Sequence, residues 1–233
     1  MHFHLPKPLH GWRAFAGEVG IIVIGVLIAL GAEQIVEVAH WRGEVTTFQQ
    51  SLDSEVALDL GTYEYRMKEN GCVERRLDEL QAWLQSWRAG RPFKLSGPIG
   101  IPASLNTNTS VWGSRSSEIV SHMPPGAMFA YADLYDEFSN NETHRFDERS
   151  AWLDLAEFDG ATELDHRDLM RLKGLITRAR LRDQRITGNA VNFFKKAARM
   201  GIRPRWDPSW ATPEPALCRP ILAPTHNHAD RIG

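Results

Sequence analysis

Two carboxylates, Glu18 and Glu33, bracket an uncharged apolar run from Val19 to Ala32 and could take part in ion or proton transfer there. Such a run is typical of a helix that crosses a membrane. A carboxylate at membrane depth is costly, so it faces a helix contact, an ion path or the lipid headgroups. Two interpretations of Glu18 therefore stay open: it conducts ions or relays protons, or it reaches the headgroups at the membrane surface.

The two cysteines, Cys72 and Cys218, offer thiol or disulfide chemistry. Their spacing matches no metal site, and two cysteines are too few for a disulfide scaffold, but they permit one bridge in an oxidising compartment. The alternative is a pair of separate thiols that behave as small hydrophobic residues.

Four arginines at close spacing form a basic face, and such charge density can bind phosphate groups. They lie within 165–205, where twelve basic side chains oppose three acidic ones, whereas 33–79 holds eleven acidic against five basic. We expect these segments to complement each other within the chain or between subunits, and we expect no nucleic-acid partner. The alternatives are a basic face that is only solvated, or one that meets an anionic polymer or lipid. The arginines are Arg178, Arg180, Arg182 and Arg185.

Metal and catalytic signatures are weak or absent in the sequence. His226 and His228 form an H-x-H pair on a proline-rich tail, without the neighbouring cysteine or carboxylate cluster that a metal site needs. The phosphate-binding, dinucleotide-binding, zinc-protease and serine-hydrolase motifs do not occur. The sequence therefore predicts no catalytic residue, no metal site and no cofactor, and a protein that is not an enzyme.

The apolar run predicts a transmembrane helix over 14–36 that follows a cytoplasmic leader over 1–13. Lys7 and Arg13 precede it, against Arg42 in the residues that follow it. Because positive charge is retained in the cytoplasm, we expect a bacterial inner-membrane protein with a periplasmic C-terminal part.

A cleaved signal peptide is the rival interpretation, because the residues before Gly31 resemble a small-residue cleavage site. The apolar pattern nevertheless continues past that point through Ile35, Val38 and Trp41 without a helix breaker. A retained anchor fits this pattern better than a secreted domain released near Gly31.

Small residues within the apolar run are spaced for helix packing. Ala16 with Gly20, and Gly25 with Ala29, form two small-xxx-small pairs on opposite faces of a helix. They predict that the helix packs against other copies of the chain or another membrane protein, with the lipid bilayer as the remaining partner.

The elements that position these residues are predicted to be helices throughout, within a domain over 37–201. An apolar stripe predicts a helix from Trp12 to Glu69, a turn at Asn70-Gly71, and an antiparallel return helix to Gly90. The stripe residues are Val38, Trp41, Val45, Phe48, Leu52, Val56, Leu60, Tyr63 and Met67.

Beyond this hairpin, the composition of 91–109 predicts a long loop that we expect to be disordered. Shorter helices follow over 111–121 and 126–158. Thr162 with Asp165 predicts a capping box for a last helix with a regular three-four pattern through Met200, in which Asp183 is the polar exception.

The tail over 202–233 holds six prolines, which predicts an extended or disordered segment. Trp206 and Trp210 are placed to pin its beginning to the domain. The predicted fold class is all-α: a transmembrane helix that continues into a long helix, a helical hairpin, an antiparallel bundle and a proline-rich tail.

Two stretches of the chain also suggest a family. GEVGIIVIGVLIALGAEQIVE, followed by SVWGSRSSEIVSHMPPGAMFAYADLYDEF, resembles a group of uncharacterised single-pass bacterial proteins with an N-terminal glutamate and a GVLIAL membrane helix. The resemblance implies an anchored helical protein and supplies no catalytic residue. With the missing motifs, it leads us to expect an oligomerisation, scaffold or sensing module whose ligand the sequence does not name.

Overall fold

The computed structural model describes residues 11–104, 106–206 and 216–222. Within these ranges the chain is all-helical and holds no strand, which confirms the predicted fold class. Five α-helices and one short 3-10 helix form the described part. They are α1 (Trp12–Arg88), α2 (Ser110–Gly113), α3 (Ser117–His122), α4 (Pro125–Ala156), α5 (His166–Arg199) and the 3-10 turn Ala216–Cys218.

Helix α1 passes without a break through the predicted turn at Asn70-Gly71, so that turn is wrong. The reason lies in the register of the helix, because Tyr63, Arg66 and Val73 continue one buried face across it. A Cβ atom added at Gly71 would meet nothing within 4 Å, so this glycine is an exposed helix position. A charged residue at the buried position of Arg66 conceals this continuity in the sequence.

The chain divides into two compact units, and each is described by itself. The first comprises the described residues of 1–50 and 116–123, and so contains the first part of α1 together with α3. The imidazole ring of His122 stacks on the indole of Trp41 with 4.2 Å between ring centroids. Ser116 caps α3 by accepting a hydrogen bond from the backbone N–H of Ile119.

The second unit, which comprises the described residues of 51–115 and 124–233, is built around a three-helix core. Tyr63 of α1 and Phe138 of α4 stack at 5.9 Å, and both meet Phe193 of α5 edge-on at 4.9 Å. Contacts along the chain place α4 parallel to this part of α1 and α5 antiparallel to both. Antiparallel packing thus involves α5 and not a return helix after residue 71.

The ends of the helices follow local chemistry. Asp165 at the N-cap and Asp168 form the capping box of α5, so the predicted box of Thr162 with Asp165 is wrong and was placed three residues too early. Gly90 and Gly201 follow α1 and α5 with φ of 66° and 81°, the left-handed conformation that ends helices. The predicted helix over 111–121 is divided into α2 and α3.

Part of the predicted disordered tail packs on the second unit. Ile202, Leu217 and Ile221 are buried, and the indole of Trp206 stacks on the ring of Tyr65 at 5.6 Å. Apolar burial therefore orders the described parts of the tail. Trp210, His226 and His228 lie outside the described residues.

Candidate functional site

The most exposed apolar surface of the described chain belongs to the N-terminal part of α1. This helix is long and apolar enough to cross a membrane, and its most apolar stretch is not covered by the protein. Ile21 and Ile35, for example, are 74% and 72% exposed. Water disfavours an apolar surface of this extent, so it marks a site for lipid or another protein.

The polar and small residues of this helix are open to a partner. Glu18 and Glu33 are exposed, as are Ala16 and Ala29. A Cβ atom added at either predicted packing glycine would meet nothing within 4 Å, so the faces are not occupied by the described chain itself. These glycines are Gly20 and Gly25.

A buried charge network joins the three core helices of the second unit, α1, α4 and α5. One guanidinium nitrogen of Arg66, Nη2, donates to Glu148 Oε1 at 2.5 Å and to Asp183 Oδ1 at 2.7 Å. The side chains of Arg66 and Asp183 are each 1% exposed. Asp183, the polar exception in the pattern of α5, therefore lies in the core because a cation from α1 meets it.

The charges of this network are poorly solvated. Burial raises the pKa of Glu148 to about 7, although Arg66 acts in the opposite direction, and burial also raises the pKa of Asp183. The Nε and Nη1 atoms of Arg66 have no hydrogen-bond partner among the described residues. The network thus couples three helices, and one of its groups, Glu148, changes its charge near neutral pH.

Carboxylates on α1 hold the long loop that follows it. Asp59 and Glu69 each accept a backbone N–H from the loop, and Glu55 accepts one from α2 at the end of the loop. The loop therefore runs back along α1, and the expectation of disorder there is wrong. The pairs are Glu55 with Val111 (2.9 Å), Asp59 with Asn108 (2.8 Å) and Glu69 with Ala103 (3.0 Å).

Burial perturbs the titration of these groups. It raises the pKa of Asp59 to about 7, although the hydrogen bond from the backbone of Asn108 lowers that pKa, and it also raises the pKa of Glu69. Tyr135 donates its hydroxyl hydrogen to Glu55 at 2.7 Å. Asn141 donates to the hydroxyl of Tyr63 at 2.8 Å, and burial raises the pKa of Tyr63 to about 12. The polar groups thus bond to one another and to the backbone.

Arg76 joins the loop and the tail to α1. Its buried guanidinium donates to Glu79 at 3.0 Å and to backbone carbonyls of both segments. Those carbonyls belong to Pro98, Ile99, Leu217 and Arg219. One cation therefore satisfies acceptors from two irregular segments that a helical bundle alone would leave without partners.

A disulfide ties the same tail segment to α1. Cys72 and Cys218 are joined with 4.8 Å between their Cα atoms, which is within the normal range for a bridge. Arg75 donates to the carbonyl of Cys218 at 2.6 Å, and the N–H of Ile221 donates to Glu79. The residues proposed from sequence as a bridge are thus brought together in the structure.

The basic face of α5 is only partly paired. Arg180 bonds to Asp78 of α1 and Arg182 to Asp147 of α4, both at 2.7 Å. The other two arginines of the face are exposed. They are Arg178 and Arg185. The acidic segment of α1 therefore receives one of the four arginines, and the others do not meet it through a described ion pair.

The described residues contain no group of three or more histidine, cysteine, aspartate or glutamate side chains arranged to hold a metal ion. Sequence reasoning missed Arg66, Asp59 and Arg76 as organising groups. A polar residue that interrupts a three-four apolar pattern was the available signal, and it identified only Asp183.

Comparison of the chain with protein-family models, with curated proteins and with solved structures gave no match. The resemblance to single-pass bacterial proteins therefore receives support only from its coarsest element, the apolar helix near the N-terminus.

Proposed function

We propose that this chain is a single-pass bacterial membrane protein that acts outside the cytoplasm as a non-enzymatic scaffold or sensing module. The observation that carries the proposal is the exposed apolar segment of α1, which no other part of the described chain covers and for which we propose a lipid environment. The same helix supplies the first element of the three-helix core. Anchor and folded domain are therefore parts of one secondary-structure element.

Two features support the periplasmic orientation. Lys7 and Arg13 precede the apolar segment, and positive charge is retained on the cytoplasmic side. The bridge between Cys72 and Cys218 belongs to an oxidising compartment, and the bacterial periplasm is one. Both features favour an inner-membrane protein with its C-terminal part in the periplasm.

The use of the buried charges supports a structural or sensing role over catalysis. Arg66 and Arg76 bond to groups of their own chain and hold helices, loop and tail together. A site poised for reaction would direct such groups toward a substrate. Buried guanidinium groups that are held away from water instead suit a domain whose conformation responds to its surroundings.

Assembly is the second part of the proposal. The faces that carry Gly20 and Gly25 are open to another membrane helix. Measurement of particle mass in detergent tests this: we expect more than one copy, or a co-purifying membrane protein, and fewer partners after Gly25→Ile. The matched control is Gly17→Ile, outside both small-residue pairs. A monomer without a partner in every sample would contradict this part.

Two alternatives have direct tests. If several copies surround Glu18 to conduct ions, Glu18→Gln abolishes flux in proteoliposomes and preserves assembly. If the domain is secreted after cleavage near Gly31, the mass of the mature chain lacks the N-terminal residues. We expect instead that membranes washed with carbonate retain a chain with an intact Met1.

A further inference from the structure

A small cavity lies in the second unit between the loop residues 101–104 and 106 and helix α4. Its volume is about 90 Å³, and both loop and helix contribute to its lining. An apolar cavity of about 150 Å³ accepts benzene, so this one takes a smaller molecule or several waters. Ser104 and Arg149 are exposed at its edge, so the cavity opens to solvent.

The polar lining of the cavity is rich in hydrogen-bond donors. Arg145 and Arg149 bring two guanidinium groups, and Asn106 brings an amide. The fully buried indole of Trp152 also lines the cavity, and its Nε1–H has no hydrogen-bond partner among the described residues. A buried donor without a partner costs free energy that a ligand acceptor would recover.

The donors of the lining leave a place for one anionic acceptor. The carboxylate of Glu148 also lines the cavity, and Arg66 meets it at 2.5 Å while it also meets Asp183. Arg145 donates from Nη1 to Thr107 at 2.8 Å, but its buried Nε has no hydrogen-bond partner among the described residues. Arg149 forms no ion pair with a described residue, and guanidinium groups are well suited to a carboxylate.

The remaining wall is apolar and accommodates a short hydrocarbon chain. Its residues are Ile101, Pro102, Ala103 and Phe146. We propose that this cavity binds a short-chain monocarboxylate, with its carboxylate toward Arg145, Arg149 and the indole of Trp152. The proposal rests on the sensing role proposed above and names the class of ligand that would be sensed.

The test uses the full-length protein in detergent micelles and propionate as the probe. The indole N–H resonance of Trp152, assigned by its loss in Trp152→Phe, should shift saturably with propionate. Propionamide, which has the same shape and no charge, should leave it unmoved. Equal shifts with both compounds, or no saturable shift with propionate, would overturn the proposal.

Two variants and one control locate the site. Arg149→Gln removes one exposed guanidinium, so the Kd for propionate should rise about tenfold. Ala103→Leu fills the cavity without changing its charge and should abolish binding. Arg178→Gln removes an exposed arginine of α5 and should leave the Kd unchanged.

Equal weakening by Arg149→Gln and Arg178→Gln would show unspecific attraction and overturn the site. A failure of propionate binding with the chain retained in carbonate-washed membranes would overturn the ligand site alone. Release of the chain into the supernatant would instead contradict the proposed membrane function. The two failures are therefore distinguishable.

Discussion

Replacement of Arg66 by methionine should destabilise the helical core strongly at alkaline pH. The guanidinium bonds to Glu148 and Asp183 at 2.5 and 2.7 Å, and its side chain is 1% exposed. Methionine fills similar space but leaves two buried carboxylates without a cation. Removal of one partner from a buried ion pair typically costs about 3–5 kcal/mol, and we expect a loss in that range at pH 8.

The loss should shrink at lower pH, and the sign follows from Glu148. Its pKa is raised from 4.5 to about 7 in the folded protein, so folding takes up a proton between those values. Stability associated with this group is present at low pH and is lost as the pH rises toward 7. At pH 5 the carboxyl group is largely neutral and depends less on Arg66.

Urea unfolding of the full-length protein in detergent, followed by tryptophan fluorescence, measures both effects. Arg178→Met, at an exposed arginine of α5, is the control and should change stability little. A triple variant, Arg66→Met with Glu148→Leu and Asp183→Leu, removes every charge of the network and should recover most of the loss. Equal losses in Arg66→Met and Arg178→Met, or a loss independent of pH, would refute this reasoning.

Three further changes test other parts of the structure. Burial raises the pKa of Asp59 from 3.8 to about 7, so the free energy of unfolding falls between about pH 4 and 7. Asp59→Asn should remove this part of the fall, which is about 4 kcal/mol at most. Urea midpoints at pH 5 and 8 measure the difference. Cys72→Ser with Cys218→Ser should cost about 5 kcal/mol by the chain-entropy relation for a separation of 146 residues, and reductant should lower the urea midpoint of the native chain but not of this variant. Gly71→Ala should stabilise the protein by about 1 kcal/mol in urea unfolding, because Gly71 lies inside the continuous helix α1. Gly90→Ala should destabilise the protein, because the φ angle of Gly90 is +66°. Destabilisation by Gly71→Ala would favour a turn at this position.

Local patterns predicted the regular parts of this fold. The three-four spacing of α5 depends on near neighbours, which a sequence displays directly. The apolar run of α1 is equally local. The all-α class and the position of the candidate membrane helix therefore follow from sequence alone.

Interactions across the chain account for what the sequence did not reveal. Asn70-Gly71 carries a strong turn signal, yet packing of Val73 on the same face as Tyr63 continues the helix. The loop after α1 has the composition of a disordered segment, but Asp59 and its neighbouring carboxylates hold its backbone. Partners that are distant in sequence decide both outcomes.

Buried charges are the hardest part of the candidate site to predict. Arg66 gives no apolar signal at its core position, and its partners lie on α4 and α5. The sequence shows Asp183 as a polar exception in the apolar pattern of α5, but it does not show that Arg66 is the cation that meets it. The pairing of Cys72 with Cys218 was one of two open readings, and only the fold brings them together.

The most direct test of the central claim is labelling of an exposed position on α4 in living cells. Ser150→Cys provides a thiol on the folded domain for a maleimide that does not cross the inner membrane. An extracytoplasmic domain anchored by α1 predicts equal labelling of intact and lysed cells, with the labelled chain in carbonate-washed membranes. Labelling only after lysis, or a labelled chain in the soluble fraction, would contradict it.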